Sequence, residues 1–431
     1  MKYILLLISS LCFSEGWSYF HHIDMLENSN EIIDYEYIDS QIENDEYIVQ
    51  RTNLSHKVIG YLPYWKYDTY QDLDYSLLTE INYFSAELNP YGNIINDHNW
   101  SSIAFIDYAQ ERGVKVKLCA TLFGATELSS LLGSQTNREN AITNLLFKVL
   151  ERGADGIDID FELVPSAQRS NLVLFMSELA TAFHENMDNP IITMATPAVD
   201  WSNSWDYNQL AQITDGLFIM GYNYFYAGSS QAGPISPLGG YFYDINYTID
   251  DYLSKTDNQI DKLILGLPYY GYDWPVLDSF MNSETTNLGI AKTHEQAMNL
   301  KDIHGNNYNS ESNAPWISYN SSNWQQCWYE DSLSISTKYS YAKNNNLAGV
   351  GIWALGYDNN NSRMWGSISD QFSDYIFGDF NYDGIVNVID IVELVNSILS
   401  NYYLEVYDLN NDAIVNVLDV LELVSIVLDL P

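Results

Sequence analysis

Short apolar runs alternate with longer amphipathic stretches between about residues 56 and 370. Eight of the apolar runs are rich in Ile, Val, Leu, Tyr and Phe, which is typical of strands. Strands that alternate with helices predict an α/β architecture with a parallel sheet. The eight predicted strands are Val58–Tyr61, Glu80–Phe84, Val114–Ala120, Asp155–Glu162, Pro190–Ala195, Gly216–Tyr222, Lys262–Pro268 and Gly349–Ala354.

Acidic and apolar side chains alternate along the predicted strand Asp155–Glu162. Side chains in a strand alternate with period two, so Asp158, Asp160 and Glu162 share one face and the apolar residues share the other. A solvated edge strand is the alternative, but the apolar face and the helix-like run at 142–150 favour an interior parallel strand. Buried ionised acids cost several kcal/mol (order of magnitude) unless they are paired or protonated. The segment therefore predicts a catalytic acid cluster.

The spacing Asp-x-x-Asp-x-Asp-x-Glu in this strand resembles the signature of glycoside hydrolase family 18, the chitinase family. The resemblance extends over about residues 56–370 and implies a (β/α)8 TIM barrel, for which eight strands in order are required. It implies that Glu162 is the general acid, that Asp160 orients the N-acetyl group of the substrate, and that Asp158 shares a proton with Asp160.

The chemistry implied by this resemblance narrows the substrate class. A general acid that works near neutral pH needs a raised pKa, which burial and neighbouring negative charge provide. The family differs from most retaining glycosidases because the substrate's own acetamido oxygen attacks the anomeric carbon. A 2-acetamido sugar is therefore required, and no cofactor is expected for catalysis.

Other site residues are carried over from the same family. The run Met220-Gly221-Tyr222-Asn223 resembles the family's Met-x-Tyr-Asp, with Tyr222 donating a hydrogen bond to the acetamido carbonyl. Met220 and Asn223 are expected to contact substrate, although Asn223 replaces the usual Asp. Trp353 matches the tryptophan that forms the floor under the cleaved sugar, and Tyr61 matches a tyrosine near the aspartate pair.

Two regions depart from a plain barrel. The segment Cys119–Ala125 stands where the family usually has Ser-x-Gly-Gly. The sequence therefore leaves open which polar side chain hydrogen-bonds to Asp158, and Thr121 is a candidate. About 272–327 is too long for a structureless loop and predicts a small α+β insertion between strands 7 and 8. The family resemblance implies that such an insertion deepens the cleft. Its tryptophans fit the core of that insertion better than sugar-stacking positions.

Residues 379–390 and 408–419 are two copies of one pattern, 29 residues apart. Each copy has the ligand positions of a calcium loop and is followed by the same apolar helical pattern. The sequence thus predicts two Ca²⁺ ions. The expected ligands are Asp379, Asn381, Asp383, Ile385, Asn387 and Asp390 in the first loop, and Asp408, Asn410, Asp412, Ile414, Asn416 and Asp419 in the second.

The paired loops resemble a dockerin, a small all-α calcium-binding module, over residues 374–431. The resemblance implies a scaffold protein with a cohesin domain as partner. Position six of the second loop is Ala413, where a left-handed conformation costs roughly 1 kcal/mol more than glycine does. The second ion is therefore expected to bind less tightly.

The N-terminal region carries two further expectations. A charged start followed by a short apolar core predicts a signal peptide over residues 1–18, cut after Ser14 or Ser18. Residues 19–55 are expected to form an acidic flexible lead-in, because His21–Gln50 contains nine acids and neither Lys nor Arg. The protein is expected to be secreted and held at a scaffold or cell surface by its partner.

Composition excludes several classes of function. A formal net charge of −39 with only 18 Lys plus Arg argues against binding nucleic acid or anionic membranes. Three cysteines provide neither a disulfide framework nor a metal-binding spacing. Beyond the signal peptide, the sequence has no apolar run long enough to span a membrane.

These observations favour a secreted glycoside hydrolase that cleaves β-1,4 bonds in N-acetylglucosamine polymers, with chitin as the first candidate. A peptidoglycan N-acetylglucosaminidase and an N-glycan endoglycosidase share the acid motif and remain alternatives. A non-catalytic chitinase-like lectin is less favoured, because such lectins typically lose the acid at the position of Glu162, which is present here. The sequence leaves endo and exo action open.

Overall fold

The computed structural model describes residues 20–42, 52–373, 377–381, 385–400, 407–410 and 414–429. The predicted signal peptide at 1–18 lies outside the described residues. The strands are β1 Lys57–Pro63, β2 Glu80–Leu88, β3 Ile94–Asn96, β4 Lys115–Phe123, β5 Gly156–Glu162, β6 Ile191–Pro197, β7 Gly216–Met220, β8 Leu263–Pro268, β9 Tyr270–Val276, β10 Ile290–Thr293, β11 Asn307–Asn309, β12 Ala314–Asn320, β13 Trp324–Trp328 and β14 Gly349–Trp353.

The described α-helices follow the same chain order. They are α1 Phe20–Asn28, α2 Tyr35–Asp39, α3 Phe105–Glu111, α4 Ala125–Leu132, α5 Gln135–Arg152, α6 Arg169–Asn186, α7 Tyr207–Ile213, α8 Ile245–Lys255, α9 His294–His304, α10 Ser332–Asn344, α11 Ser362–Phe372, α12 Val388–Ser400 and α13 Val417–Asp429. Short 3₁₀ helices occupy Tyr64–Asp72, Tyr75–Leu77, Ser166–Gln168 and Ile260–Lys262. In the described part of the chain, no helix is long and apolar enough to cross a membrane.

Eight parallel strands close into a barrel in the order β1, β2, β4, β5, β6, β7, β8 and β14, with β14 pairing back onto β1. Short β3 is added antiparallel to β2 outside the ring. The predicted (β/α)8 TIM barrel is therefore confirmed. Inside the barrel Phe218 lies under Tyr61 with the rings 4.8 Å apart. A Cβ on Gly351 would come within 1.9 Å of the Phe218 ring, so this position needs glycine.

Local sequence signals set the ends of the helix that leads into β5. The Ser134 side chain accepts the N–H of Asn137 and starts α5, while Gly153 ends it in the left-handed conformation with φ 61°. The next residues enter β5, in which all seven residues are buried. The carboxyl end of this strand lies on the face where barrel enzymes carry their chemistry.

The predicted α+β insertion follows β8 and precedes β14. It is a five-stranded antiparallel sheet in the order β10, β9, β13, β12, β11, packed with α9. Trp274 and Trp328 are fully buried, and Trp316 stacks on Trp328 with centroids 5.4 Å apart. These tryptophans are core residues, as the sequence indicated, and they belong to the buried apolar cluster that the insertion shares with the barrel.

The structure differs from the expected flexible lead-in at residues 20–42, which contain two helices that contact the barrel. His21 is fully buried and Asp24 is 6% exposed. The Asp39 carboxylate accepts hydrogen bonds from the hydroxyls of Tyr67 and Tyr70 at 2.6 and 3.0 Å. The prediction failed because polar contacts to distant barrel residues, rather than an apolar period, hold this segment.

The C-terminal residues form a second, much smaller core. Its buried members are Phe380, Val386, Leu394, Tyr407, Leu409 and Leu423, with α12 and α13 packed on each other. Among the predicted calcium ligands, Asp383 and Asp412 lie outside the described residues. The all-α character expected for this module is confirmed by the two helices.

Candidate active site

The three acids of β5 point into the barrel at its carboxyl end. Asp158 and Asp160 are fully buried and Glu162 is 1% exposed. The Phe161 ring on the opposite face packs against Phe175 of α6 with centroids 5.4 Å apart. The period-two alternation of the sequence thus separates the acids from the helix-packing face.

Asp158 is held by neutral donors from the neighbouring strands. Its carboxylate accepts the Tyr61 hydroxyl at 2.7 Å and the Thr193 hydroxyl at 2.5 Å. Lys117 donates to the Thr193 oxygen at 2.7 Å. Burial raises the pKa of Asp158, and the positive charge of Lys117 acts in the opposite direction.

The support for Asp158 therefore comes from Tyr61 and Thr193. Thr121 instead lies 3.1 Å from the Ser85 hydroxyl. Sequence reasoning missed both Thr193 and Lys117. The sequence signal that could have identified them is their place on the inward face of a strand. Thr193, for example, is paired with Asp158 in the register of β5 and β6.

Glu162 has the electrostatics of a general acid. Burial raises the pKa of its carboxyl well above the ordinary value, and the neighbouring negative charge of Asp160 raises it further. Backbone N–H groups of His21 and His22 act in the opposite direction. A buried carboxyl with a raised pKa keeps its proton near neutral pH and can donate it.

Aromatic rings surround the acids. The Trp353 ring lies 5.0 Å from Phe84 and 5.5 Å from Tyr61, and all three are fully buried. Burial also raises the pKa of Tyr222 well above its ordinary value, so its hydroxyl stays protonated and can donate. Tyr222 follows β7, and its ring meets that of Tyr270 edge-on at 6.1 Å.

The remaining predicted contact residues also lie around this site. Asn223 is buried with a left-handed φ of 61°, and its side-chain oxygen accepts the Tyr270 hydroxyl at 2.8 Å. Met220 lines a cavity of about 260 Å³ together with Glu162, Trp201 and Trp205. The structure thus brings together all eight catalytic and substrate-binding residues predicted from the sequence.

Sequence reasoning did not anticipate that His21 enters this site. The His21 ring stacks on Trp353 with centroids 3.6 Å apart and planes 17° apart. Its Nδ1 lies 2.7 Å from Asp160 Oδ2, and its Nε2 lies 2.6 Å from the Tyr222 hydroxyl. The backbone N–H of His21 donates to Glu162 Oε1 at 3.1 Å.

Asp24 and His22 extend the contact of α1 with the site. The Asp24 carboxylate accepts the indole N–H of Trp353 at 3.0 Å and the Tyr357 hydroxyl at 2.6 Å. His22 stacks on Phe123 with centroids 4.7 Å apart. The first turns of α1 therefore fill the mouth of the barrel over the acids.

The two C-terminal loops repeat each other in their hydrogen bonds. Asp390 accepts the backbone N–H groups of Phe380, Asn381 and Asn387 at 2.8, 3.0 and 2.7 Å. Asp419 accepts the equivalent three groups at 2.9, 3.3 and 2.8 Å. Both carboxylates are fully buried.

The oxygen atoms that these loops offer as metal ligands fit a hard cation. The described candidates offer carboxylate, amide and main-chain carbonyl oxygens, which are the ligands that calcium prefers. Asp379, at the first position, is 3% exposed. A bound calcium ion would supply positive charge between acids that otherwise repel one another.

A parallel barrel with a row of buried acids, a glutamic acid whose pKa is raised by burial, and aromatic rings around them is the construction of a glycosidase. Residues 57–358 match the model of the family described as Glycosyl hydrolases family 18, and the chain belongs to this family. Residues 377–428 match the Dockerin type I domain. The protein is therefore a glycosidase with a C-terminal dockerin, and dockerin type I domains generally bind calcium.

Individual relatives agree with this assignment. YdhD of Bacillus subtilis, described as a sporulation-specific glycosylase, is 28% identical over 305 residues, which cover 66% of this chain and 69% of YdhD. The cortical fragment-lytic enzyme of Bacillus subtilis is 26% identical over 252 residues, 56% of each chain. Human di-N-acetylchitobiase is 26% identical over 275 residues, 57% of this chain and 68% of that protein.

A solved structure shows the same fold at lower identity. The family 18 chitinase of Cycas revoluta in complex with (GlcNAc)3 superposes with a TM-score of 0.67 at 18% identity. The match covers 73% of this chain and 99% of that one. At this level of identity the likeness concerns the fold alone.

Proposed function

We propose that the protein hydrolyses β-1,4 bonds in N-acetylglucosamine polymers, chitin first, by substrate-assisted retaining catalysis. The observation that carries this proposal is the way in which the site holds the His21 ring. Trp353 covers one face of the ring, while Asp160 and Tyr222 contact its two nitrogens. A pyranose with an acetamido group offers the same features, a face with apolar C–H groups and a polar edge.

The reaction needs one proton donor and one internal nucleophile. Glu162 gives its proton to the glycosidic oxygen as the bond to the anomeric carbon breaks. The acetamido oxygen forms a bond to that carbon, with Asp160 orienting the group and Tyr222 donating to its carbonyl. Water then attacks the oxazolinium ion and gives a proton to Glu162, so the configuration is retained and the acid is restored.

Surface features next to the acids support a polymeric substrate. Trp201, which lines the cavity beside Glu162, is 47% exposed and packs edge-on against Tyr243 at 4.6 Å. Phe242, 78% exposed, lies 4.7 Å from the same Tyr243 ring. Exposed aromatic rings in loops after β6 and β7 can stack sugars of a bound chain beyond the cleaved bond.

The C-terminal module extends the proposal to location. A dockerin pairs with a cohesin domain, so we propose a secreted protein held on a cohesin-bearing scaffold. Two calcium ions, one in each loop, would stabilise the folded module. Catalysis itself uses only the side chains at the mouth of the barrel.

A second substrate is favoured by the named relatives. YdhD is described as sporulation-specific, and another relative is named for cortical fragments. A peptidoglycan N-acetylglucosaminidase would use the same acids and the same acetamido nucleophile. The two proposals therefore differ only in the groups attached to the sugar chain.

The test compares substrates with the full chain and with its His21→Ala variant. Both proteins are given chitin oligomers, peptidoglycan and a high-mannose glycan, and products are identified by mass spectrometry. The proposal expects cleavage of chitin oligomers, inhibition by a thiazoline analogue of N-acetylglucosamine, and resistance of fully deacetylated chitosan. Efficient cutting of deacetylated polymer would exclude substrate assistance, and cleavage of peptidoglycan alone would favour the second substrate.

A further inference from the structure

We infer that residues 20–42, here named the lead segment, are an autoinhibitory element that occupies the sugar site of this enzyme's own barrel. The inference rests on the proposed function for the nature of the displaced ligand. It rests on the structure for the occupancy itself. Two independent contacts hold the segment, one inside the site and one beside it.

The first contact uses the catalytic groups themselves. His21 engages Asp160, Tyr222, Trp353 and Glu162, which are the groups assigned to orient, floor and protonate the sugar. An imidazole stacked 3.6 Å from the Trp353 ring leaves no room for a sugar on that face. Substrate and His21 therefore exclude each other.

The second contact lies away from the acids. Asp39 accepts the hydroxyls of Tyr67 and Tyr70, together with the backbone N–H of Ala104 at 3.0 Å. Tyr35 packs on Tyr67 with ring centroids 4.8 Å apart. These contacts have no part in the proposed chemistry, and their effect is to keep α1 at the barrel mouth.

The fit of the segment is incomplete, which makes it displaceable. Asp160 Oδ1 and Glu162 Oε2 are buried without a hydrogen-bond partner among the described residues. A buried polar atom without a partner costs free energy that a better-matched ligand recovers. Ile32 is 94% exposed and Tyr37 is 62% exposed, so these two side chains add little to the binding of the segment.

A metal ion is a different use of the same side chains, and the distances argue against it. His21, Asp160 and Glu162 offer three ligand atoms within 4.8 Å of one another. The His21 nitrogen, however, lies 2.7 Å from Asp160, the distance of a direct hydrogen bond. Two ligands of one tetrahedral zinc ion, each about 2.0–2.2 Å from the metal, lie about 3.3–3.6 Å apart, which is farther than these two atoms.

Covalent attachment makes weak contacts effective. Nine residues, 43–51, separate the lead segment from the described barrel chain. A short tether gives an effective concentration of about the millimolar range, against which a substrate has to compete. The apparent affinity for substrate equals the intrinsic affinity multiplied by the fraction of molecules in which the site is open.

The decisive variants weaken each contact separately in the full chain. His21→Ala and Asp39→Asn are each expected to raise kcat/KM on chitin oligomers by about tenfold or more, mainly through KM. Ile32→Ala, in the exposed part of the segment, is the matched control and should leave kcat/KM unchanged. Asp39 touches none of the catalytic residues, so its activation cannot arise from altered chemistry.

A binding experiment tests the autoinhibitory contact without measuring enzyme activity. A fluorescent peptide of residues 20–42 should bind the full chain carrying His21→Ala with Asp24→Ala, and the same peptide with His21→Ala should bind at least about tenfold more weakly. Anisotropy with and without EDTA separates the hydrogen-bonded contact from a metal-bridged one, because only the latter is lost with EDTA.

The outcomes separate two failures. If the peptide does not bind, or if wild type matches both activating variants in kcat/KM, the autoinhibitory role is wrong. If the peptide binds in a His21-dependent way but no variant cleaves any of the three glycans, the inhibitory contact stands and the proposed substrate is wrong.

Discussion

The barrel mouth and the C-terminal loops both contain buried carboxyl groups, but they stabilise these groups in different ways. Asp158 and Glu162 lie in a large core, where burial raises the pKa of both carboxyls and Asp158 accepts two hydroxyl groups. Asp390 and Asp419 sit on a core of six buried residues and accept backbone N–H groups from their own loops. A large core can hold acids in the protonated form that catalysis uses, whereas a small module needs a cation to offset their repulsion.

The largest expected effect lies at the barrel mouth. Glu162→Gln removes the proton donor and preserves shape, so we expect kcat/KM on chitin oligomers to fall by about 10²- to 10⁴-fold with oligosaccharide binding retained. Glu185→Gln, on the exposed face of α6, is the control. Retention of more than about a tenth of wild-type turnover would mean that another residue is the acid.

A second pair of variants separates buried from exposed charge on one strand. The Lys117 side chain is fully buried and lies 2.7 Å from Glu80, while that of Lys115 is 58% exposed and pairs with Asp155. Lys117→Met should lower the free energy of unfolding by about 3–5 kcal/mol, because it leaves buried Glu80 with only the longer, partly exposed pair to Lys57 at 3.3 Å. Lys115→Met should change it by at most about 1 kcal/mol. Equal effects in urea unfolding would contradict this assignment.

This pair also shows what the sequence could and could not provide. Period-two alternation predicted the strands and placed three acids on one face, because that signal is local. The same alternation puts Lys115 and Lys117 on one face, yet only Lys117 is enclosed. Which inward residue is enclosed depends on how neighbouring strands are staggered, and that is set by pairing across the barrel.

The position of the lead segment on the barrel could not be predicted from local sequence patterns for a related reason. His21 contacts Asp160 and Tyr222, which are 139 and 201 residues away in the chain. Its stretch of the sequence has many acids and no sustained apolar period, the usual signature of a flexible region. Hydrogen bonds, two stacked histidine rings and scattered apolar contacts replace a regular apolar stripe, and such contacts leave no periodic trace in the sequence.

The acids at the barrel mouth should also set the pH range of activity. Glu162 carries the catalytic proton at pH values below its raised pKa. Activity should therefore be lost as pH rises through that pKa, by about tenfold per pH unit. Stability follows the same sign, because the folded state holds a proton that the unfolded state releases at lower pH. The profile of kcat/KM for His21→Ala, measured on chitin oligomers, is the test. Activity that rises steadily with pH would mean that Glu162 acts unprotonated.

Removal of calcium should affect the two regions differently. Chelation is expected to unfold the C-terminal module and leave the barrel intact, because calcium at 100 times its Kd contributes about 2.7 kcal/mol. Calorimetry of the full chain should show one transition lost or lowered with EDTA and one unchanged. Asp390→Ala should mimic chelation in the first loop, while exposed Glu422→Gln should not. Unchanged transitions in EDTA would mean that these loops are not calcium sites.

The smallest expected effect distinguishes the two loops from each other. The sixth position of a calcium loop makes a sharp turn that favours glycine, and the first loop has Gly384 where the second has Ala413. Both positions lie outside the described residues, so the expectation comes from the sequence. Ala413→Gly should tighten the second site and Gly384→Ala should weaken the first, each by roughly 1 kcal/mol or about fivefold in Kd. Calcium titration calorimetry of the full chain measures both variants against wild type. Two sites of equal affinity in wild type, unmoved by either exchange, would show that the turn at position six does not limit binding here, and that the repeated backbone hydrogen bonds of Asp390 and Asp419 set both affinities alike.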